Sequence, residues 1–175
     1  MSSSRRRPSR RAIAVLLACG ALAGCGFRPL YATGGDTTEF DEQLASIQVL
    51  PISERIGQLL ANSLRDNLNP TGAKVAKKYT LSVTLNTATA DYVIRKDGTA
   101  SRELLVVYGS FIMTQASTSA NVLYGSVRIN DSYDVGESPY SVVVENSDAQ
   151  SRAAREISTD IRTRIETYFR RQAKS

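Results

Sequence analysis

Two sets of residues in this chain have the types and spacing to do chemistry. The first is Leu22-Ala23-Gly24-Cys25, which closes a short apolar run behind Arg5, Arg6, Arg7, Arg10 and Arg11. A cysteine preceded by small residues at that place resembles a bacterial lipobox. The expected chemistry is a diacylglyceryl thioether on Cys25, a peptidase cut between Gly24 and Cys25, and N-acylation of the new terminus, with palmitate-type chains. The second set is acidic: Asp131, Asp134 and Glu137. Paired carboxylates can hydrolyse glycosidic bonds, but acids around a polar turn need no such role. The chain has no histidine, which removes His-based triads and most zinc sites. After a cut before Cys25 no free thiol remains, and there is no Gly-rich phosphate loop. The residues therefore point away from an enzyme, with no metal and no cofactor beyond the covalent lipid.

The leader shapes the reading of the remainder. Its apolar run, about Ala12 to Ala23, is well short of the ~20 residues that a spanning helix needs, which argues against an uncut anchor. Ser9-Arg10-Arg11 also fits a twin-arginine export signal, so both the general and the twin-arginine routes stay open. The whole chain carries 22 basic and 17 acidic residues. All five leader arginines leave with residues 1–24, so the mature chain is balanced at 17 of each. The high isoelectric point belongs to the leader and gives no reason to expect nucleic acid. About 150 residues suit one domain with one core, held to the membrane by acyl chains alone.

The elements follow from periodicity. Residues 25–43 read as a lipidated N-terminus and tether, with Gly34-Gly35-Asp36-Thr37-Thr38 as flexible linker. Phe27, Pro29, Leu30 and Tyr31 are apolar enough either to pack on the domain or to lie in the lipid interface. Leu44–Leu50 reads as a short strand ended by Pro51. Ile52, Ile56, Leu60, Leu64 and Leu68 define a helix with Ser53 as N-cap, stopped by Asn69-Pro70-Thr71-Gly72. Lys78–Ala88, Glu103–Gln115 and Val122–Tyr133 alternate as strands, with turns at Arg95-Lys96-Asp97-Gly98 and Ala116–Asn121. A last helix carries the stripe Ala153, Ile157, Ile161, Ile165, Tyr168 and Phe169, with Ser147 and Gln150 at capping-box spacing. The order β-α-β-β-β-α predicts an α+β fold spanning residues 44–172. It is a two-layer sandwich with a four-stranded, mostly antiparallel sheet and two helices packed on one face. The opposite face is left for a partner.

Taken in order, these features resemble the LptE family of lipopolysaccharide-assembly lipoproteins in its alphaproteobacterial form. The residues that carry the resemblance are Cys25-Gly26-Phe27-Arg28-Pro29-Leu30-Tyr31, Asp97-Gly98-Thr99-Ala100-Ser101-Arg102, Ser132-Tyr133-Asp134-Val135 and Ser138-Pro139-Tyr140-Ser141, with the closing helix from near Asp148. The resemblance implies an outer-membrane lipoprotein on the periplasmic side, acting as plug and assembly partner of the LptD β-barrel and assisting lipopolysaccharide (LPS) insertion. Gly26 in place of aspartate beside the lipidated cysteine fits outer-membrane sorting. LPS carries phosphates and acidic sugars, so direct contact would need fixed cations. Arg95, Lys96, Arg102 and Arg128 are the candidates, against a plain reading as solvated turn charges. The competing functions are direct binding or transfer of LPS or another lipid, and an accessory role in a different lipid-transport system.

Overall fold

Phe40 and Leu44 lie four residues apart, as the buried stripe of a helix should. They belong to α1 (Gly35–Ala45), the first element of a computed structural model that describes residues 35–94, 100–136 and 138–173. Gly24, Cys25, the Arg95–Gly98 turn and Glu137 lie outside the described residues. The linker expected across Gly34–Thr38 gives way to α1 from Gly35. With two apolar contacts in three turns, α1 offered too little period to be seen. It is held by tertiary contacts instead: Leu44 and Ala45 are buried, and Arg170 stacks on the Phe40 ring at 5.6 Å. The run Leu44–Leu50 is thus divided between a helix end and a strand. Ser46 makes the joint, donating its N–H to the Glu42 carbonyl (2.9 Å) and its hydroxyl to that of Gln43 (2.6 Å).

β1 (Ile47–Val49) is short because Pro51 removes the next backbone donor on its path. It pairs in parallel with the start of β2 (Tyr79–Ile94). β2 pairs antiparallel with β3 (Ala100–Gln115), and β3 with β4 (Asn121–Asp134), giving an open sheet of order β1-β2-β3-β4. All three long strands outrun the apolar alternation. The far part of β2, Thr89 to Val93, is exposed and is held by pairing to β3 rather than by core burial.

α2 (Glu54–Leu68) buries Ile56, Leu60, Leu64 and Leu68 as the four-residue spacing requires. Ser53 stands at its N-cap, but its side chain makes no capping bond. The loop folds back so that Ile52 sits on the first turn. A Cβ on Gly57 would lie 2.7 Å from Ile52 Cγ2 and 3.0 Å from the Ile52 carbonyl. Gly57 thus serves the contact with Ile52. Glu54 takes φ 67° at the same bend, a conformation that costs an L residue about 1 kcal/mol.

α3 (Pro139–Gln172) starts well before the Ser147 and Asp148 expected from the sequence. Pro139 takes the first helical position, where its missing N–H costs nothing. Val142-Val143-Val144 and Asn146-Ser147 are weak helix formers, which hid this stretch. Ser147 is inside the helix and its Oγ accepts from the Arg55 guanidinium at 2.9 Å. The stripe Ala153, Ile157, Ile161, Ile165 and Phe169 is buried as expected and extends back to Ala149. The helices and the inward residues Leu81, Val83, Leu105, Val107, Phe111, Met113, Val127 and Ile129 form one core. The fold is thus the expected α+β two-layer arrangement, with α1 as a third helix.

Candidate interaction surface

Strand periodicity sends alternate residues to opposite faces. On β3, Leu105, Val107, Gly109, Phe111 and Met113 face the helices, and Leu104, Val106, Tyr108, Ser110, Ile112 and Thr114 face away. The register carries this across three strands. Ser82, Ile112 and Tyr124 form one row of the outer face, Thr84, Ser110 and Ser126 the next, and Asn86, Tyr108 and Arg128 a third. Ala88, Val106 and Asn130 follow. No helix covers this face among the described residues. Tyr124 is 80 % exposed, and Tyr108 and Ile112 are also exposed. Val106 is only 8 % exposed although it is on the open side, between Ala88 and Asn130.

The middle of the sheet holds a shallow, open depression of about 450 Å³ lined by residues 84–86, 108–110 and 126–128, with Leu85, Gly109 and Val127 between the outward side chains. The Arg128 guanidinium lies 5.2 Å from the Tyr108 ring centroid, a cation–π contact that holds it flat. On the helix side of the same strands, Gly109 and Gly125 leave room for neighbouring side chains. A Cβ at Gly109 would meet Val127 Cγ1 at 2.9 Å, and one at Gly125 would meet the Phe111 ring at 2.9 Å.

Of the four cations singled out for LPS contact, Arg95 and Lys96 fall outside the described residues. Arg102 is bound to Asp134 across the strands, Nε to Oδ1 at 2.9 Å. Arg102 and Arg128 share the open face, but Arg128 pairs with Tyr108, six positions along β3 from Arg102. That spacing is about 20 Å. The structure does not gather these two into one anion site. Two of the three acids, Asp131 and Asp134, are also paired. Asp131 accepts from Arg152 Nε at 2.9 Å, and this bond, first among its causes, pushes the Arg152 guanidinium pKa further up.

Sequence reasoning missed a polar chain at the far end of the sheet. Tyr133 donates to Glu103, Asn146 Nδ2 donates to Tyr133 Oη (2.8 Å), and Gln150 Nε2 donates to Asn146 Oδ1 (2.7 Å). Tyr133 is buried, and burial first, then the Glu103 hydrogen bond, raises its pKa. The i, i+4 spacing of Asn146 and Gln150 was visible, but only the register β3–β4 brings Glu103 and Tyr133 opposite each other. Beyond it, the first turns of α3 expose Tyr140, Val143 and Val144. Among the described residues no cluster of three or more potential ligands could hold a metal, and no helix is long and apolar enough to cross a membrane.

Among the described residues the sheet is thus shielded on one side by helices and bare on the other, with hydroxyls and tyrosines in rows. The family model of LptE, lipopolysaccharide assembly, matches residues 44–165. The chain belongs to the LptE family of lipopolysaccharide-assembly proteins. Its fold is similar to that of a lipoprotein candidate from Caulobacter crescentus, with a TM-score of 0.63, 24 % identity, and coverage of 75 % of this chain and 96 % of that one. It is also similar to a minor lipoprotein from Acinetobacter baumannii, with a TM-score of 0.53, 15 % identity, and coverage of 70 % and 92 %. No curated protein matches the sequence.

Proposed function

We propose that this chain is an outer-membrane lipoprotein, anchored through acyl chains on Cys25 after cleavage behind Gly24. In this reading it joins an LptD-type β-barrel as plug and assembly partner on the periplasmic side, and the complex assists LPS assembly at the surface. The role is one of assembly rather than catalysis. Family membership supports the LPS-assembly setting, and the observation that carries the partner is the bare sheet face. A barrel lumen is polar and lined by alternating side chains. The rows Thr84–Ser110–Ser126 and Asn86–Tyr108–Arg128 offer hydroxyl, amide and aromatic groups to such a wall, with Arg128, stacked on Tyr108, as the one charge to desolvate. Direct LPS transfer by this domain is less well supported, since Arg102 and Arg128 are far apart and each already has a partner.

The test is a pull-down of the tagged lipoprotein from detergent-solubilised outer membranes, with mass spectrometry of the partners. A stoichiometric β-barrel is expected. Tyr124→Glu and Ser126→Glu change exposed side chains and should shift stability by no more than about 0.5 kcal/mol, yet release the barrel. Recovery of the barrel by both variants would remove the sheet face from the interface. Absence of any barrel with the unaltered chain would overturn the partner itself. Mass spectrometry of the same preparation reads the lipid, and an uncut, unmodified N-terminus would overturn the anchor.

A further inference from the structure

The outer edge of β2 is open along most of its length. β1 covers only Tyr79 to Leu81, and Pro51 then turns the chain away. Backbone bonds show which residues face outward. Tyr79 N–H donates to the Ser46 carbonyl (3.3 Å) and Leu50 N–H to the Leu81 carbonyl (3.0 Å), whereas Ala116 N–H donates to the Lys78 carbonyl (2.9 Å). Odd-numbered residues of β2 therefore aim their backbone at the β1 side and even-numbered ones at β3. The β2–β3 register is unbroken from Tyr79 to Asp91, so Val83, Leu85, Thr87 and Thr89 present outward N–H and C=O groups beyond the reach of β1. No strand pairs with them among the described residues.

Edges of this kind are normally blunted by lysine, proline, a bulge or a cover. From Ser82 to Ala90 the sequence Ser-Val-Thr-Leu-Asn-Thr-Ala-Thr-Ala has no charge, proline or glycine. The irregularity in the ladder comes only after Asp91. From Asn86 to Val93 every residue is exposed, so side chains directed to either face leave this stretch uncovered.

We infer that this edge pairs antiparallel with the same edge of a second copy of the chain, about a two-fold axis at Ala88. The sequence is self-complementary about that point. Thr87 opposes Thr89, Asn86 opposes Ala90, and Asp91 opposes Leu85, so no like charges meet. The alanine methyl lies at the axis, where the copies come closest. Thr87 and Thr89 exchange backbone bonds across the axis, and the two sheets join into one. The β4 edge is a poorer candidate, because it carries Arg128, Asp131 and Asp134 and α3 packs along it. The pairing belongs to copies outside a barrel, since a domain seated in a lumen has no room for a second sheet; its test uses the chain alone and so does not rest on the barrel reading.

The geometry sets its own trap. Even-numbered residues form the non-hydrogen-bonded pairs of the new ladder, with Cα atoms about 4.5 Å apart, within disulfide range. The full chain in detergent, with Ala88→Cys, should give at least tenfold more disulfide dimer under mild oxidation than Thr163→Cys, an exposed site on α3. The unaltered chain, with only Cys19 and Cys25, is the blank. Thr87→Pro and Thr89→Pro each remove an outward N–H and no β2–β3 bond. Added to Ala88→Cys, either should cut the dimer at least tenfold with the far-ultraviolet circular dichroism unchanged. Ala88→Lys sets two lysines against each other and should lower the dimer fraction in sedimentation, which provides a second reading should the prolines disturb the strand. A cross-link no stronger than at Thr163→Cys would overturn the pairing, as would a cross-link and sedimentation profile indifferent to all three substitutions. Proline-sensitive cross-linking of Ala88→Cys in membranes to a different protein alone would overturn the second copy and give the edge to a foreign strand.

Discussion

Tyr133 links three elements through one phenolic oxygen, which donates to Glu103 on β3 and accepts from Asn146 on α3. A buried hydroxyl with both partners in place is costly to replace, because each partner is left with an unmet hydrogen bond. Tyr133→Phe should therefore lower stability at neutral pH by about 1–3 kcal/mol, read as a drop in the denaturant midpoint. The same residue predicts a pH effect. Its pKa is raised in the folded state, first by burial and then by Glu103. The folded chain holds the phenolic proton more tightly than the unfolded chain, so the stabilisation is complete below the unfolded value near 10 and is lost as pH climbs through the folded one. Tyr168 is shifted the same way by burial, so the alkaline decline should become shallower in Tyr133→Phe rather than vanish. A decline of unchanged slope above pH 10 would show that this tyrosine does not govern it.

At the level of elements, the approach into α2 depends on the absence of one methyl group. Ala is preferred over Gly inside a helix by about 1 kcal/mol, so Gly57→Ala would stabilise an isolated α2. In the fold its Cβ would fall 2.7 Å from Ile52 Cγ2 and 3.0 Å from backbone atoms of Ile52, which cannot yield without moving the loop. Overpacking of this kind costs about 1–3 kcal/mol, and the net change should be destabilising in thermal melts. A raised melting temperature would mean that the loop adapts freely. The contact was not legible in the sequence, since Ile52 could be read only as the first residue of the apolar stripe. Legibility followed this pattern elsewhere. Strong four-residue stripes such as Ile56-Leu60-Leu64 and Ile157-Ile161-Ile165 were plain, because the core they enter is one-sided. α1 and the first turns of α3 were not, since Phe40 is nearly alone in its turn and Val142-Val143-Val144 suggests strand. The ends of β2 and β3 escaped for a third reason: backbone pairing alone extends them past the alternation that burial imposes.

Across the whole molecule, the open face could be anticipated from one-sided helices and half-polar strands, but its composition could not. Tyr108, Ile112 and Tyr124 became neighbours of Ser110 and Ser126 only through the register, and that register also separated Arg102 from Arg128. The distinction bears on how the protein works, because two modes of recognition differ in their response to salt. Capture of phosphorylated LPS headgroups by scattered arginines would be screened steeply, the Debye length falling from about 10 Å at 0.1 M to about 3 Å at 1 M. Docking of a near-neutral face into a barrel through hydroxyls, tyrosines and shape would not. Family membership sets the chain in LPS assembly, and the second mode is the one proposed for the face. The barrel complex should therefore survive a wash from 0.1 M to 1 M sodium chloride with less than a twofold loss of co-purified barrel. LPS carried along through exposed cations should fall several-fold in the same wash. Loss of the barrel together with LPS would instead make charge the basis of the contact and move the interface toward Arg102 at the end of the sheet or Arg128 on its face.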